Sequence, residues 1–355
     1  MIVSIVFFII IFLVMVVSHE FGHYIVGKKN GIHANEFFVG IGPKLIKWTR
    51  DDTEFSVRLL PFGGACVFEG MDELEDSKSE DAEPTYSEHS FLKANVWARF
   101  ATTLAGPLFN IILAYVCGVI LASVTGAVIP EVQTVLEDSA AEAAGILPGD
   151  MILRINGHSV HLSSEVSFDS YYSTGEAMKL TILRDGHKQN VVLVPKYSEE
   201  DQRYYMGITN GKYIDCGLGN SLKYGFYNVE YILRATVEGI RMMFTGQVGK
   251  DELAGPVGIV QVVDDTYQES REYGFLSVVL SMINITMLLS ANLAVMNLLP
   301  IPGLDGGRLL FIIIEIVTRR RVPPEKEGYV TLAGMALLMA LVVFVLFNDI
   351  SKFFR

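Results

Sequence analysis

Four stretches of the chain carry no charged side chain: residues 1–18, Phe100–Ile129, Tyr273–Leu304 and Gly328–Asn348. A helix needs about 20 mostly apolar residues to cross the hydrocarbon core of a bilayer. The pattern therefore predicts four transmembrane helices, over residues 1–26, 100–129, 273–307 and 328–355. The first apolar run leads directly through His19 and Glu20 toward Val26. It lacks the basic start and small-residue cleavage site of a signal peptide, so it reads as a retained span.

The connections follow other periods. Residues 27–99 hold short alternating runs, Phe55–Leu60 and Cys66–Phe68, divided by Pro61 and Gly63-Gly64. These predict strands around a turn, followed at 71–90 by an acidic, polar loop. The strands read equally well as a small β-rich plug on the membrane face or as an edge that pairs with an extended peptide. Residues 130–211 open with a strand at 132–135. The string Ser139–Gly157 then gives a short helix ending at Gly145, a Pro-Gly-Asp turn, a strand and an Asn-Gly hairpin turn. Further strands follow at 178–184 and 190–195, joined by Asp185-Gly186. This run, from Ile129 to Gly211, resembles a PDZ domain of the bacterial protease type, which implies peptide binding by strand addition or steric gating. In the connector 212–272, Phe226, Val229, Leu233, Val237, Ile240 and Phe244 step by three and four, with Glu230, Arg234, Glu238 and Arg241 opposite. That is an amphipathic helix, lying on the membrane surface or packed on the spans.

Composition narrows the class. Half of the 355 residues are hydrophobic and only 19% are charged, which excludes a disordered chain and an ordinary soluble domain. A net charge of −12 argues against a nucleic-acid partner. Cys66, Cys117 and Cys216 are too scattered for a disulfide framework and read as free thiols. Lys28, Lys29, Lys93 and Arg99 flank the first connection, and Arg319, Arg320, Arg321 and Lys326 the last. By the positive-inside rule both lie in the cytoplasm. The termini and the 130–272 segment then lie outside, and residues 308–327 form a cytoplasmic-side helix and basic loop. The expected architecture is a polytopic α-helical membrane protein of four transmembrane helices, with a small cytoplasmic β-rich membrane-associated insert and one extracytoplasmic PDZ domain.

The chemistry concentrates at two places. His19-Glu20-Phe21-Gly22-His23 is an HExxH motif. On a helix, positions i and i+4 share a face, so both imidazoles can hold one Zn²⁺ with Glu20 beside it as general base. Ionisable residues at the end of an 18-residue apolar run are expensive unless they function. Two histidines leave a zinc site one protein ligand short. Eighteen residues of helix place His19 roughly 27 Å from the outer end of the first span, near the cytoplasmic boundary. The third span also runs inward, and near its inner end stands Asn297-Leu-Leu-Pro300-Ile-Pro302-Gly-Leu-Asp305-Gly-Gly. Pro300 and Pro302 break the helix there. Asp305, the sole acid between Glu272 and Glu315, reads either as the third ligand or as an N-cap for the helix that follows.

HExxH in the first span and NxxPxPxLDG in a later one, with a PDZ segment between, resemble the site-2 protease family of intramembrane zinc metalloproteases, in its bacterial RseP-like branch. Leu60–Gly64, Ala105-Gly-Pro-Leu-Phe-Asn110 and Ala254–Ile259 match as well. The resemblance implies one Zn²⁺ per chain held by His19, His23 and Asp305, with Glu20 as general base and Asn297 contacting the substrate carbonyl. It implies substrate contacts at Phe62, Gly63 and Gly64 on an edge strand, and at Asn292, Pro300 and Pro302. Asn110 and Asn292 read equally as interhelical hydrogen-bonding residues. The implied substrates are single-pass membrane proteins such as anti-sigma factors or remnant signal peptides. The implied setting is the bilayer of a bacterial inner membrane, with the site near the cytoplasmic face. Well-known Gram-negative members carry two PDZ domains; this chain has room for one. A non-catalytic membrane scaffold that uses its PDZ domain to bind peptides is the alternative; the intact Glu20 and three candidate ligands count against it.

Overall fold

A computed structural model of the chain describes residues 2–71, 86–199, 201–247 and 255–352. Most of the acidic loop predicted at 71–90, and Ala254, lie outside the described residues. Among the described residues, four helices are long and apolar enough to cross a membrane: α1 (Ile2–Lys29), α2 (Val96–Thr125), Phe275–Leu298 and Pro324–Lys352. The chain divides into two compact units, one made of residues 1–117 with 236–355 and the other of residues 118–235.

In the first unit, α1 is followed by β1 (Ala34–Arg50) and β2 (Thr53–Phe68). These are two long strands by element but a more folded object by register. The Glu36–Val39 segment is matched with Gly64–Val67 on one side and with Glu54–Val57 on the other, while Lys44–Arg50 pairs with Thr53–Arg58. The chain turns at Asp51-Asp52, both with positive φ. Phe37, Cys66, Phe68 and Phe91 bury a small apolar core with Ile32 and Ala34. Lys44–Arg50, at the far end, is exposed throughout. Among the described residues Gly64–Val67 has a strand partner on one side only, so its outward backbone groups form an open edge.

The rest of this unit is helical. Residues 236–244 complete α5 (Leu218–Phe244), and α6 (Pro256–Arg271), α7 (Phe275–Leu298), α8 (Asp305–Thr318) and α9 (Pro324–Lys352) follow. Ile11 and Met15 of α1 interlock with Val263 of α6 and Val278, Met282 and Ile285 of α7. Asp349 of α9, itself buried, accepts from the Gly255 and Gly258 amides and so caps the start of α6. Apolar side chains elsewhere on α9, such as Leu337, Met339 and Phe347, are exposed. Lipid is the solvent that suits such a surface.

The second unit is built on a sheet of order β10-β3-β4-β6-β7, with β5 paired to β4. Its strands are β3 (Ala127–Val135), β4 (Met151–Ile155), β5 (His158–Ser159), β6 (Met178–Arg184), β7 (His187–Leu193) and β10 (Ile208–Ile214). A hairpin of β8 (Lys196–Ser198) and β9 (Arg203–Tyr205) sits apart from the sheet. Helices α3 (Ala140–Ala143) and α4 (Ser163–Tyr171) complete the unit, over a core of Val132, Ile146, Ile152, Ile155, Leu180, Ile182 and Leu193. The Pro148-Gly149-Asp150 turn is pinned electrostatically. Asp150 accepts the Leu147 amide at 2.8 Å and both arms of the Arg184 guanidinium at 2.7 and 2.6 Å. Strand β10 and helix α4 were not foreseen from the sequence, whose alternation is weak there. The first 18 residues of α5 pack on α4: Tyr227 stacks on His161 at 3.8 Å and Arg234 pairs with Glu165 at 3.0 Å.

Candidate active site

HExxH sits on α1, where the helical repeat sets its two imidazoles edge to face, 4.8 Å between ring centres. Asp305 reaches the same point from a different element. Pro300 cannot continue α7 and drives the residue before it out of helical geometry; Leu299 is accordingly extended (φ −61°, ψ 141°). Residues 299–304 then turn back, with the Ile301 amide on the Leu299 carbonyl and the Leu304 amide on that of Ile301. Helix α8 begins at Asp305 itself, with Leu304 in the N-cap position. Asp305 is the first residue of the helix, and its Oδ2 lies beside the Nε2 atoms of both histidines. Gly306 is required by this fold-back, because a Cβ there would lie 2.1 Å from the Leu299 carbonyl oxygen.

Three atoms converge. His19 Nε2 and His23 Nε2 are 3.2 Å apart, and Asp305 Oδ2 is 3.1 Å from the first and 3.4 Å from the second. Two ligands at about 2.05 Å from a tetrahedral centre are separated by about 3.3 Å, so the spacing fits zinc. Lone-pair atoms this close also repel unless a proton or a cation lies between them. Both histidines are buried, at 8% and 6% exposure. His23 Nδ1 donates to the Thr102 carbonyl at 2.8 Å, which fixes its ring and, when the ring is neutral, leaves the lone pair on Nε2. These residues could hold one metal ion, and they are the only such group of three among the described residues.

The surroundings come from β2, α2 and α7. The Cys66 amide, on the open edge of β2, donates to Glu20 Oε2 at 2.9 Å. Burial pushes the Cys66 thiol well above the usual cysteine range, so its side chain is inert and its backbone does the holding. Asn297, in the last turn of α7, places its amide nitrogen 3.4 Å from His19 Nε2. Asn110 places its amide at the other ring nitrogen of His19, also 3.4 Å away. Gly106 faces the two rings so closely that a Cβ would lie 2.2 Å from His23 Nε2. That is the physical content of Ala105–Asn110: a glycine to admit the imidazoles and an amide one turn later.

The other expected contacts are distributed differently. A Cβ on Gly64 would sit 2.9 Å from Val16 and 3.6 Å from Glu20 Cγ, so this part of β2 lies against the HExxH helix. Gly63 and Phe62 precede it on the same strand. Asn292 accepts from Thr236 at 2.5 Å, an interhelical bond to the end of α5. Pro302 is approached by Gly334 of α9, and Pro300 lies in the turn. The Cys66 amide and the Thr102 carbonyl were missed by sequence reading, since backbone groups leave no residue-type signal.

A profile of peptidase family M50 matches residues 7–341. The chain belongs to that family, the site-2 proteases. A candidate zinc metalloprotease of Clostridium acetobutylicum is 34% identical over 348 residues, covering 98% of this chain and 97% of that protein. Zinc metalloprotease RasP of Geobacillus kaustophilus is 30% identical over 424 aligned positions, covering 99% and 98%. The regulator of sigma-W protease RasP of Bacillus subtilis is 27% identical over 428, covering 99% of each. The protein is accordingly a zinc metalloprotease. Among solved structures, the PDZ domain of an SdrC-like protein of Listeria monocytogenes aligns with 24% of this chain and 86% of that domain. Its TM-score of 0.21 and 20% identity carry no argument.

Proposed function

We propose that this M50 protease hydrolyses peptide bonds in or near the transmembrane segments of single-pass membrane proteins. The observation that carries the reading is that His19, Glu20 and His23 lie on a helix of span length, α1, and that Asp305, which follows the span-length α7 in the chain, converges with the two histidines. In this reading His19, His23 and Asp305 hold zinc, which when bound supplies Lewis-acid polarisation of the scissile carbonyl. Glu20, anchored by the Cys66 amide, takes a proton from the attacking water and returns it to the departing amine nitrogen. The Asn297 amide donates to the carbonyl oxygen as charge develops on it. A substrate helix hides its carbonyls in its own hydrogen bonds, so the cleaved segment must first be extended. The open Gly64–Val67 edge would hold it there by strand addition, with Phe62 and Gly63 alongside; Asn292, Pro300 and Pro302 would line the approach.

The basic flanks of the first and last connections support a site near the cytoplasmic face, with both termini and the β-rich second unit outside. That unit would act as a PDZ gate, excluding substrates whose outer domain has not been trimmed. A relative named for sigma-W regulation favours anti-sigma factors as substrates, with remnant signal peptides as the other class. The test is incubation of the purified protein with a single-pass substrate in detergent, followed by mass mapping of the products. Cleavage within or beside the apolar segment, lost in Glu20→Gln, is expected. Cleavage confined to an aqueous domain would overturn the intramembrane reading.

A further inference from the structure

We propose that Asn110 is a positioning residue for His19: its side-chain oxygen accepts the His19 Nδ1 proton and so leaves the Nε2 lone pair facing Asp305. The inference deepens the reading of His19 as a zinc ligand and rests on it. Asn110 is fully buried, and its Oδ1 has no hydrogen-bond partner among the described residues. A buried amide oxygen left unpaired is costly. The neighbour of this amide is His19 Nδ1, 3.4 Å from Nδ2.

Two amide orientations have the same shape and opposite consequences. If Nδ2 faces His19, then Nδ1 must be the acceptor and the neutral ring carries its proton on Nε2. That proton would point at His23 Nε2 and Asp305 Oδ2, where no lone pair would remain for a metal. Turning the amide by half a revolution satisfies both groups at once. Oδ1 then receives the Nδ1 proton, the orphaned oxygen is paired, and Nε2 is available. His23 already uses this arrangement, with the Thr102 carbonyl as its acceptor. The two ligands would thus be oriented by one helix, α2, from positions 102 and 110. Asn110 is itself held in place: Ser290 of α7 donates to its carbonyl at 2.9 Å, and Ser18 of α1 to that of Phe109 at 3.2 Å.

The experiment uses the full-length protein in detergent, with zinc affinity read by competition against a chelator of known affinity. Thermal unfolding of the metal-free form and the absorption spectrum of the cobalt-substituted form are read alongside. Asn110→Leu, which has no acceptor, should weaken zinc by about 10- to 100-fold and shift the cobalt spectrum, without a matching change in metal-free unfolding. Asn110→Asp, whose oxygens only accept, should stay within about threefold of the parent. Should the leucine variant not fold, Asn110→Ala is read by the same criteria. Affinity in the leucine or alanine variant equal to the parent's would overturn the role, as would an aspartate variant that loses as much as leucine. His19→Ala is the control for the underlying reading. If it binds zinc as the parent does, the ligand assignment itself is wrong, a result separable from failure of the Asn110 role alone.

Discussion

At the scale of residues, two sites are tight enough for single changes to be decisive. A methyl group at Gly106 has nowhere to go, because it would lie 2.2 Å from His23 Nε2 and 2.8 Å from His19 Cε1. Gly106→Ala should therefore lower zinc affinity by on the order of 100-fold, beyond the roughly 1–3 kcal/mol that overpacking costs in stability. Metal content after dialysis checks this, and a fully loaded variant would contradict it. The second site is the Asp150–Arg184 pair. Burial works against the charge on Asp150, but the Arg184 guanidinium and the Leu147 amide outweigh it and hold the carboxyl below its usual range. Stability from this pair is therefore fully present above the unfolded carboxyl value of about 3.9 and is lost as pH falls through the lower folded value. Arg184→Ala should destabilise the β-rich unit near pH 7 and do so less in acid. Hydrogen exchange of the Ile152 and Ile182 amides in the full chain reads both. HExxH and Asp305 were legible because their chemistry is carried by residue type and spacing. The Cys66 amide and Thr102 carbonyl were not, because any residue supplies them.

At the scale of elements, the β1–β2 pair shows what alternation can and cannot tell. The prolines and glycines announced strands around a turn, yet the register sets Glu36–Val39 between two partners, a non-local arrangement that no local pattern encodes. Its consequence is an open edge that begins at Gly64 and carries the Cys66 amide to Glu20. Proline is tolerated on an edge strand but has no N–H to donate. Cys66→Pro should lower kcat by about 10-fold or more at unchanged zinc content, since the loss falls on the proton-transfer step alone. An unchanged kcat would show that Glu20 needs no such anchor. The break after α7 was legible from Pro300 and Pro302, and α8 starts at Asp305 once the chain has turned back through residues 299–304. Helix α4 and strand β10 have mixed, half-polar sequences that acquire their structure from the sheet they complete.

At the scale of the whole molecule, apolar windows located all four span-length helices found among the described residues, because a run of about twenty apolar residues matches the thickness of a bilayer and is rare in a soluble helix. They did not reveal that α2 brings Thr102 and Gly106 to the HExxH rings, which depends on packing between distant segments. The gate hypothesis is tested by deleting residues 130–211. Cleavage of untrimmed substrates should rise while a trimmed substrate is cut as before, and unchanged selectivity would remove the gate from the account. The central claim is that His19, His23 and Asp305 hold zinc for a reaction in which Glu20 moves the proton. The most direct measurement is zinc per chain in the parent, Asp305→Ala and Glu20→Gln, with cleavage of one single-pass substrate followed in each. The account predicts about one zinc in the parent and in Glu20→Gln, much weakened binding in Asp305→Ala, and cleavage by the parent alone. Full zinc retention in Asp305→Ala, or cleavage by Glu20→Gln at the parent's rate, would contradict it.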